Sequence, residues 1–347
     1  MSHHTDVLRL VRRISGVGLT ILVFEYLVLP KLLVARDDVS LLSSVAPAML
    51  AIALFLQIAS LAAYSGLTWR ALHAGPACSF ATLLRVDLTG LGVSHVVPGG
   101  GATAAALRFR LLTEVGVRPL NAMAGTAVQT GCSVVSLVAV FLCGLAFALP
   151  QLSNQHLFLQ VGVGSLLSLA IVGVLMAAVL RYPEASLRIW RRLARKIPFV
   201  RTDAPDAFAK SIATLTRDKR SLLQAMAWAL ANWLLDAACL WICLRAYDFS
   251  VPLAPLLAIY GVANLLAFIP LAPGGLGVVE GVLIPALVAL GAAHSIALLG
   301  VLTWRFFQFL LPIPVAGFAF ASLRWDPYRR LRASTSSPAQ NVPHLRD

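Results

Sequence analysis

Eight apolar stretches, at roughly 14–35, 41–65, 79–106, 121–149, 157–180, 221–244, 253–291 and 294–320, alternate with short hydrophilic ones along this chain of 347 residues. A helix rises 1.5 Å per residue, so about 20 apolar residues cross the ~30 Å hydrocarbon layer of a bilayer. The pattern predicts an all-α architecture. Two stretches interrupt themselves. The third carries VVPGGGATAA at 96–105 and the seventh LAPGGLGV at 271–278. Proline withholds a donor and glycine is a poor helix former, so each Pro-Gly-Gly should end one helix and open another.

Composition moves the whole chain into the membrane. Hydrophobic residues make up 59% and charged ones only 12%, with a mean hydropathy of +0.82. A soluble domain carries about 25% charged residues, and one globular core could not hide this much apolar surface. The net charge of +13 does not imply nucleic acid, because the basic residues sit in short hydrophilic stretches between spans. Arg9, Arg12 and Arg13 precede the first stretch, which is too long for a signal peptide and lacks a cleavage site, so it reads as an uncleaved span.

The basic clusters set the topology. Three basic residues precede position 14, Arg70 follows the second stretch, and Arg108, Arg110 and Arg118 follow the third. Eleven more lie at 181–220 and five at 322–347. If the third stretch crosses fully, the cluster at 107–119 faces outside, against the positive-inside rule. If it turns back at Pro98, the cluster stays inside. The same return at Pro273 lets the last span carry the basic tail inward. The expected fold is a polytopic membrane protein of six full spans plus two re-entrant hairpins, with eight full spans as the alternative. Both place the two termini in the cytoplasm, in an inner (plasma) membrane. One membrane domain covers 1–320, with halves at about 1–150 and 157–320. A basic cytoplasmic linker fills 181–220 and a polar, disordered tail 321–347.

The six-span reading contains an inverted repeat: two spans, a hairpin and a span, then the same set upside down. Pro98 and Pro273 are 175 residues apart. Paired broken helices in inverted halves mark a transporter's substrate site near the midplane. A helix opened there presents N–H groups and the positive end of its dipole to an anion. The alternative is that the glycines only let helices pack closely.

Charges within the apolar stretches add candidates. Glu25, Asp236, Glu280 and Arg305 each need a partner, a proton or a function, since a charge at mid-bilayer costs at least about 2.5–3.5 kcal/mol. Glu280 and Arg305 can pair across the second hairpin, as a structural salt bridge or as part of a site. Glu25, Asp236 and the amide of Asn264 are candidates for a proton or polar relay, or for plain hydrogen bonding between helices. Gln129 is a second such amide. Arg108 is expected at the cytoplasmic mouth of the first hairpin, where its fork suits a phosphate, or else snorkels to the headgroups. No P-loop, H-E-x-x-H or G-x-S-x-G occurs, and the five cysteines and seven histidines show no ligand spacing. Neither enzyme, metal nor cofactor is expected.

The stretch PGGGATAAALRFRLLTEVGV, then PLAPGGLGVVEGVLIPALVALG and VLTWRFFQFLLPIPVAG, resembles the flippase-like family, the transmembrane region of lysylphosphatidylglycerol synthases. Trp69-Arg70 is similar to a short Trp-Arg element of that family. The resemblance covers most of the chain. It implicates Pro98, Gly99, Gly100, Gly101, Arg108, Pro273, Gly274, Gly275, Gly277, Glu280 and Arg305 in substrate binding. The full synthases continue into a soluble aminoacyl-transfer domain, for which the tail here has no room. The resemblance therefore implies movement of a lipid or lipid-linked amphiphile with an anionic headgroup. Membrane lipids are the expected partners, with a lipid-modifying enzyme as a further one. The rival expectations are a carrier for a small polar solute and a non-catalytic partner subunit. Nothing in the sequence fixes the oligomeric state.

Overall fold

The structure, a computed structural model, describes residues 46–72, 79–97, 100–148, 218–268 and 273–325. The first and fifth apolar stretches, nearly all of the 181–220 linker, and Glu25, Pro98 and Gly99 lie outside the described residues. Every described element is helical: α1 (Pro47–Ala71), α2 (Phe80–Val96), α3 (Gly100–Glu114), α4 (Pro119–Ala148), α5 (Lys219–Arg245), α6 (Leu253–Ala267), α7 (Val278–Ala289), α8 (His294–Arg305) and α9 (Pro312–Trp325). Prolines open several of them, where a missing N–H costs nothing: Pro47, Pro119 and Pro312 are first residues. Elsewhere a side chain caps the start. Ser79 accepts from the Thr82 N–H at 3.2 Å, and Asp218 from the Arg220 N–H at 3.1 Å.

Four units are long and apolar enough to cross a membrane: α1, α4, α5, and the α8–α9 pair from His294 to Leu323. That pair is bent. Between its halves, Phe306–Leu310 form a π turn, in which the Leu311 N–H donates to the Phe306 carbonyl at 2.9 Å. Pro312 and Pro314 lack the N–H groups that regular α-pairing needs here, so the ladder shifts register.

The other helices are short. α2 and α3 have 17 and 15 residues, about 25 and 22 Å of helix, and α6 and α7 have 15 and 12. Each pair folds back on itself. In the first, Arg108 meets Asp87 and a Cβ on Gly90 would lie 3.7 Å from the Arg108 Cβ, so the arms run antiparallel. α3 runs eight residues past the apolar stretch expected to end at 106. Its last turn is an exposed amphipathic end, carrying the Arg110–Glu114 surface pair at 2.9 Å.

Glycines set the interhelical distances. α1 and α5 lie antiparallel, with Gly66 under the Trp228 ring and Ser60 and Asn232 exchanging hydrogen bonds in both directions at 3.0 Å. α4 and α6 meet at Gly144, whose added Cβ would lie 2.5 Å from the Ala258 nitrogen, and at Gly261, 2.6 Å from the Phe141 Cβ. α9 sits on α2, with Gly92 against Ala316. Bilayer lipid is as apolar as leucine, so close backbone approach of this kind is what holds such helices together.

The packing maps onto itself when the halves are exchanged. α1 packs on its counterpart α5. The α4–α6 contact has its image in α9–α2, and α1–α4 in α5–α8. Two main cores result, and each draws on both halves: Leu72, Leu83, Val86, Leu111 and Leu112 with Leu323 in the smaller, and Leu240, Leu244, Leu283, Leu287 and Trp304 with Ala53 and Leu137 in the larger.

We expect Gly261→Ala to force α4 and α6 apart and cost about 1–3 kcal/mol. Gly131→Ala, with nothing within 4 Å of its Cβ, should instead be neutral or gain up to about 1 kcal/mol of helix propensity. Thermal melts of the two purified variants in detergent check this; equal melting temperatures would contradict the packing.

Candidate functional site

The second broken helix supplies the geometry. Gly274, Gly275 and Gly277 take φ of +56°, +69° and +80°, a region closed to most side chains. This run leads directly into α7. An added Cβ on Gly275 would lie 2.7 Å from the Ala267 Cβ, and one on Gly274 would enter the Phe309 ring. At Gly277 nothing lies within 4 Å, and the residue is exposed. At Gly275, by contrast, the turn leaves no room for a side chain.

Glu280, on the first turn of α7, reaches back so that its Oε2 accepts the Gly277 N–H at 2.7 Å. Its Oε1 lies 2.7 Å from the Nε of Arg305, at the end of α8. The same guanidinium donates through Nη2 to the Gly275 carbonyl at 3.3 Å and through Nη1 to Gln308 at 2.9 Å. Both charges are buried. The N–H groups that the sequence reading left open to an outside anion are thus met, at Gly277, by the chain's own carboxylate.

The helices that flank the first break reach the second. His95, the last residue but one of α2, stacks on Phe309 with centroids 4.3 Å apart. Its Nδ1 donates to the Phe309 carbonyl at 3.1 Å, which fixes the proton on that nitrogen, since a carbonyl only accepts. Gly274 sits against the same ring pair, and both α2 and α3 touch the Pro273–Gly275 turn.

A second polar cluster lies in the first half. Arg108 is buried rather than open at a hairpin mouth: its Nε is 2.9 Å from Asp87 Oδ1, and its Nη2 donates to Thr68 Oγ1 at 2.9 Å. Gln129 donates to the same hydroxyl at 2.9 Å, and the guanidinium lies 5.8 Å from the Tyr64 ring centre. A third cluster surrounds Asp236 on α5. The Tyr260 hydroxyl donates to it at 2.6 Å and the Trp304 indole N–H at 3.3 Å. Asn264 donates to the Tyr260 carbonyl at 3.0 Å, within its own helix.

The structure therefore brings Gly275, Gly277, Glu280 and Arg305 into one contact network, with Gly274 against its edge. Arg108, and Asp236 with Asn264, belong to the two other clusters. Pro273 opens the turn, and Gly100 and Gly101 open α3. The sequence reading missed Asp87, His95 and Trp304. Asp87 had a signal: it lies eleven residues before Pro98 and Arg108 ten after, so a turn at that proline sets them opposite.

Comparison with known proteins places the chain in a membrane-protein family. Residues 16–316 match the family model described as the lysylphosphatidylglycerol synthase TM region. The chain belongs to that family. It is also 26% identical, over 244 residues, to a UPF0104 membrane protein of Methanothermobacter thermautotrophicus, covering 63% of this chain and 68% of that one. The family match spans both broken helices, so Glu280, Arg305, Asp87 and Arg108 all lie within the shared region.

Removing one partner of a buried ion pair strands the other, at about 3–5 kcal/mol. Glu280→Gln and Arg305→Gln should each lower the melting temperature, and the double variant should lose much less than their sum. Additive losses would mean the two side chains do not interact. Gly277→Ala should yield folded protein carrying about 1–3 kcal/mol of backbone strain, whereas Gly275→Ala should not elute as a single species.

Proposed function

We propose that this protein moves a lipid, or a lipid-linked amphiphile, with an anionic headgroup between the leaflets of the membrane, without covalent chemistry. The observation that carries the reading is the buried guanidinium of Arg305, held at the broken turn between the Gly275 carbonyl and the Glu280 carboxylate. A guanidinium beside the N-terminus of a half-helix is a phosphate site in all but its occupant. Here the occupant is Glu280. Gly277, exposed and with open space beside it, gives an incoming headgroup its approach to the N–H and to Arg305. The arriving anion displaces the carboxylate and is displaced by it on leaving. An internal competitor of this kind keeps Arg305 paired between turnovers, so the cation is never stranded in a low dielectric.

The short arms α2–α3 and α6–α7 are read as re-entrant hairpins, one opening to each side, since 12–17 residues fall short of the ~30 Å layer. Their breaks meet at His95, Phe309 and Gly274, which makes a path from either face converge on one place. The six full spans then comprise α1, α4, α5, the α8–α9 pair, and the two apolar stretches at 14–35 and 157–180. Both termini and the basic clusters face the cytoplasm of an inner membrane, and a lipid-modifying enzyme is a fitting partner. The single domain, with its linker and polar tail, follows the halves given above.

Proteoliposomes with a trace of acyl-labelled fluorescent phosphatidylglycerol test the function, with dithionite bleaching reporting the outer leaflet. Wild-type protein should expose the inner-leaflet label far faster than empty vesicles, and Arg305→Gln should slow this by roughly 10- to 150-fold, the loss of one charge-assisted contact. No acceleration for any anionic lipid would refute the reading, and uptake of a soluble phosphate compound instead would favour a solute carrier. For the topology, Val117→Cys in a cysteine-free background should resist an impermeant thiol reagent applied to intact cells. Labelling there would place the α3–α4 turn outside.

A further inference from the structure

We infer that Asp236 is a proton-binding site linked to the anion site at Arg305, so that a proton accompanies the headgroup. The inference rests on the reading of Arg305 as the headgroup's cation.

Three carboxylates are buried at membrane depth among the described residues: Asp87, Asp236 and Glu280. Two have an arginine, Asp87 with Arg108 and Glu280 with Arg305. Asp236 has none within 4.0 Å among the described residues. Every group that faces it is formally neutral or further away. From α6 comes the Tyr260 hydroxyl, from α8 the Trp304 indole, from α1 the Gln57 amide, and from its own helix Cys239. An ionised carboxyl enclosed in this way has hydrogen bonds from Tyr260, Trp304 and Gln57 but, as counter-charge among the described residues, only Arg305, which already pairs with Glu280, an expensive state in a bilayer protein.

Gln57 adds an independent observation. Its Oε1 is a buried acceptor without a hydrogen-bond donor, and its side chain lies beside Asp236. An amide's oxygen and nitrogen exchange places by a simple flip. A carboxyl proton gives that orphan oxygen its donor, while Tyr260 and Trp304 keep their bonds to the carboxyl oxygens. The neutral acid can thus give the Gln57 oxygen a donor, in exchange for the bond that the Gln57 amide now donates to the carboxylate.

The link to the anion site is one residue long. Trp304 donates to Asp236, and the next residue is Arg305, whose guanidinium lies 5.2 Å from the Trp304 ring centre. When a headgroup arrives, Glu280, an ionised Asp236 and the new anion would all draw on one arginine. A proton on Asp236 removes one of those three charges. Anion binding and proton uptake then favour each other, and by linkage each strengthens the other equally.

Two measurements on purified full-length protein in detergent test this. Infrared spectra recorded from about pH 5 to 9 should contain a protonated-carboxyl C=O band that Asp236→Asn abolishes and Glu280→Gln does not. In weakly buffered solution with a pH indicator, adding phosphatidylglycerol should draw up to about one proton per protein in the wild type and none in Asp236→Asn. Phosphatidylglycerol that binds without proton uptake overturns the linkage. If the protein moves and binds no anionic lipid, the reading of Arg305 fails on its own. The infrared titration still decides Asp236, and wild-type spectra without the band across that range overturn the proton site. Should Asp236→Asn fail to fold, wild-type proton uptake and the pH dependence of the band carry the decision.

Discussion

The bilayer offers no water to a broken backbone, so the turn at Pro273–Gly277 exists only because side chains complete it, and Arg305 is the chief of these. One guanidinium holds the Gly275 carbonyl, the Glu280 carboxylate and Gln308. Glu280 in turn meets the N–H of Gly277. Donor and acceptor left over from the break are thus closed through a pair of charges rather than by solvent. The geometry also depends on the π turn after Arg305. That turn shifts Phe309 and Gln308 toward the break, where Phe309 receives His95 from the other half. Pull any member out, and the cost spreads to the others.

The packing is symmetric, but the chemistry is not. Exchanging halves carries α1–α5, α4–α6 and α2–α9 onto one another. The ion pairs do not follow. In the first half the acid sits on the first arm of the hairpin and the arginine on the second, so Asp87–Arg108 ties one hairpin to itself and to Thr68 on α1. In the second half the acid is on the second arm and the arginine comes from the following span. Motion of α8 against α7 would open the second pair, while the first survives any movement that keeps α2 and α3 together. A scaffold repeated for packing thus has room for one labile site and one anchored one.

Much of this was legible in the sequence, for reasons that differ by residue. The four long apolar units among the described residues announced themselves because transfer of apolar side chains into lipid is local and additive. The two breaks did so because proline and glycine act on their own backbone. Glu280 and Arg305 stood out as charges in apolar text. Asp87 did not, because a hairpin's register is needed before a carboxylate and an arginine 21 residues apart become neighbours. Arg108 was legible as an arginine but not as a buried one, since the short helix α3 runs inward past the point where the apolar text stops. The role of His95 depends on Phe309, 214 residues away, and no local pattern encodes that.

Glycine chemistry shows where local reading ends most clearly. Three glycines of the second turn share the same left-handed requirement, yet their surroundings differ: Gly274 meets an aromatic ring, Gly275 a helix methyl, and Gly277 open space. A backbone conformation can be guessed from PGGLG. Which of its atoms faces a neighbour and which faces open space is set by α6, α7 and the π turn between α8 and α9. It follows that the turn's two ends have different tasks. Gly274 and Gly275 hold the break against the protein, where any side chain is a defect. Gly277 has open space where a side chain would stand, while its N–H is met by Glu280.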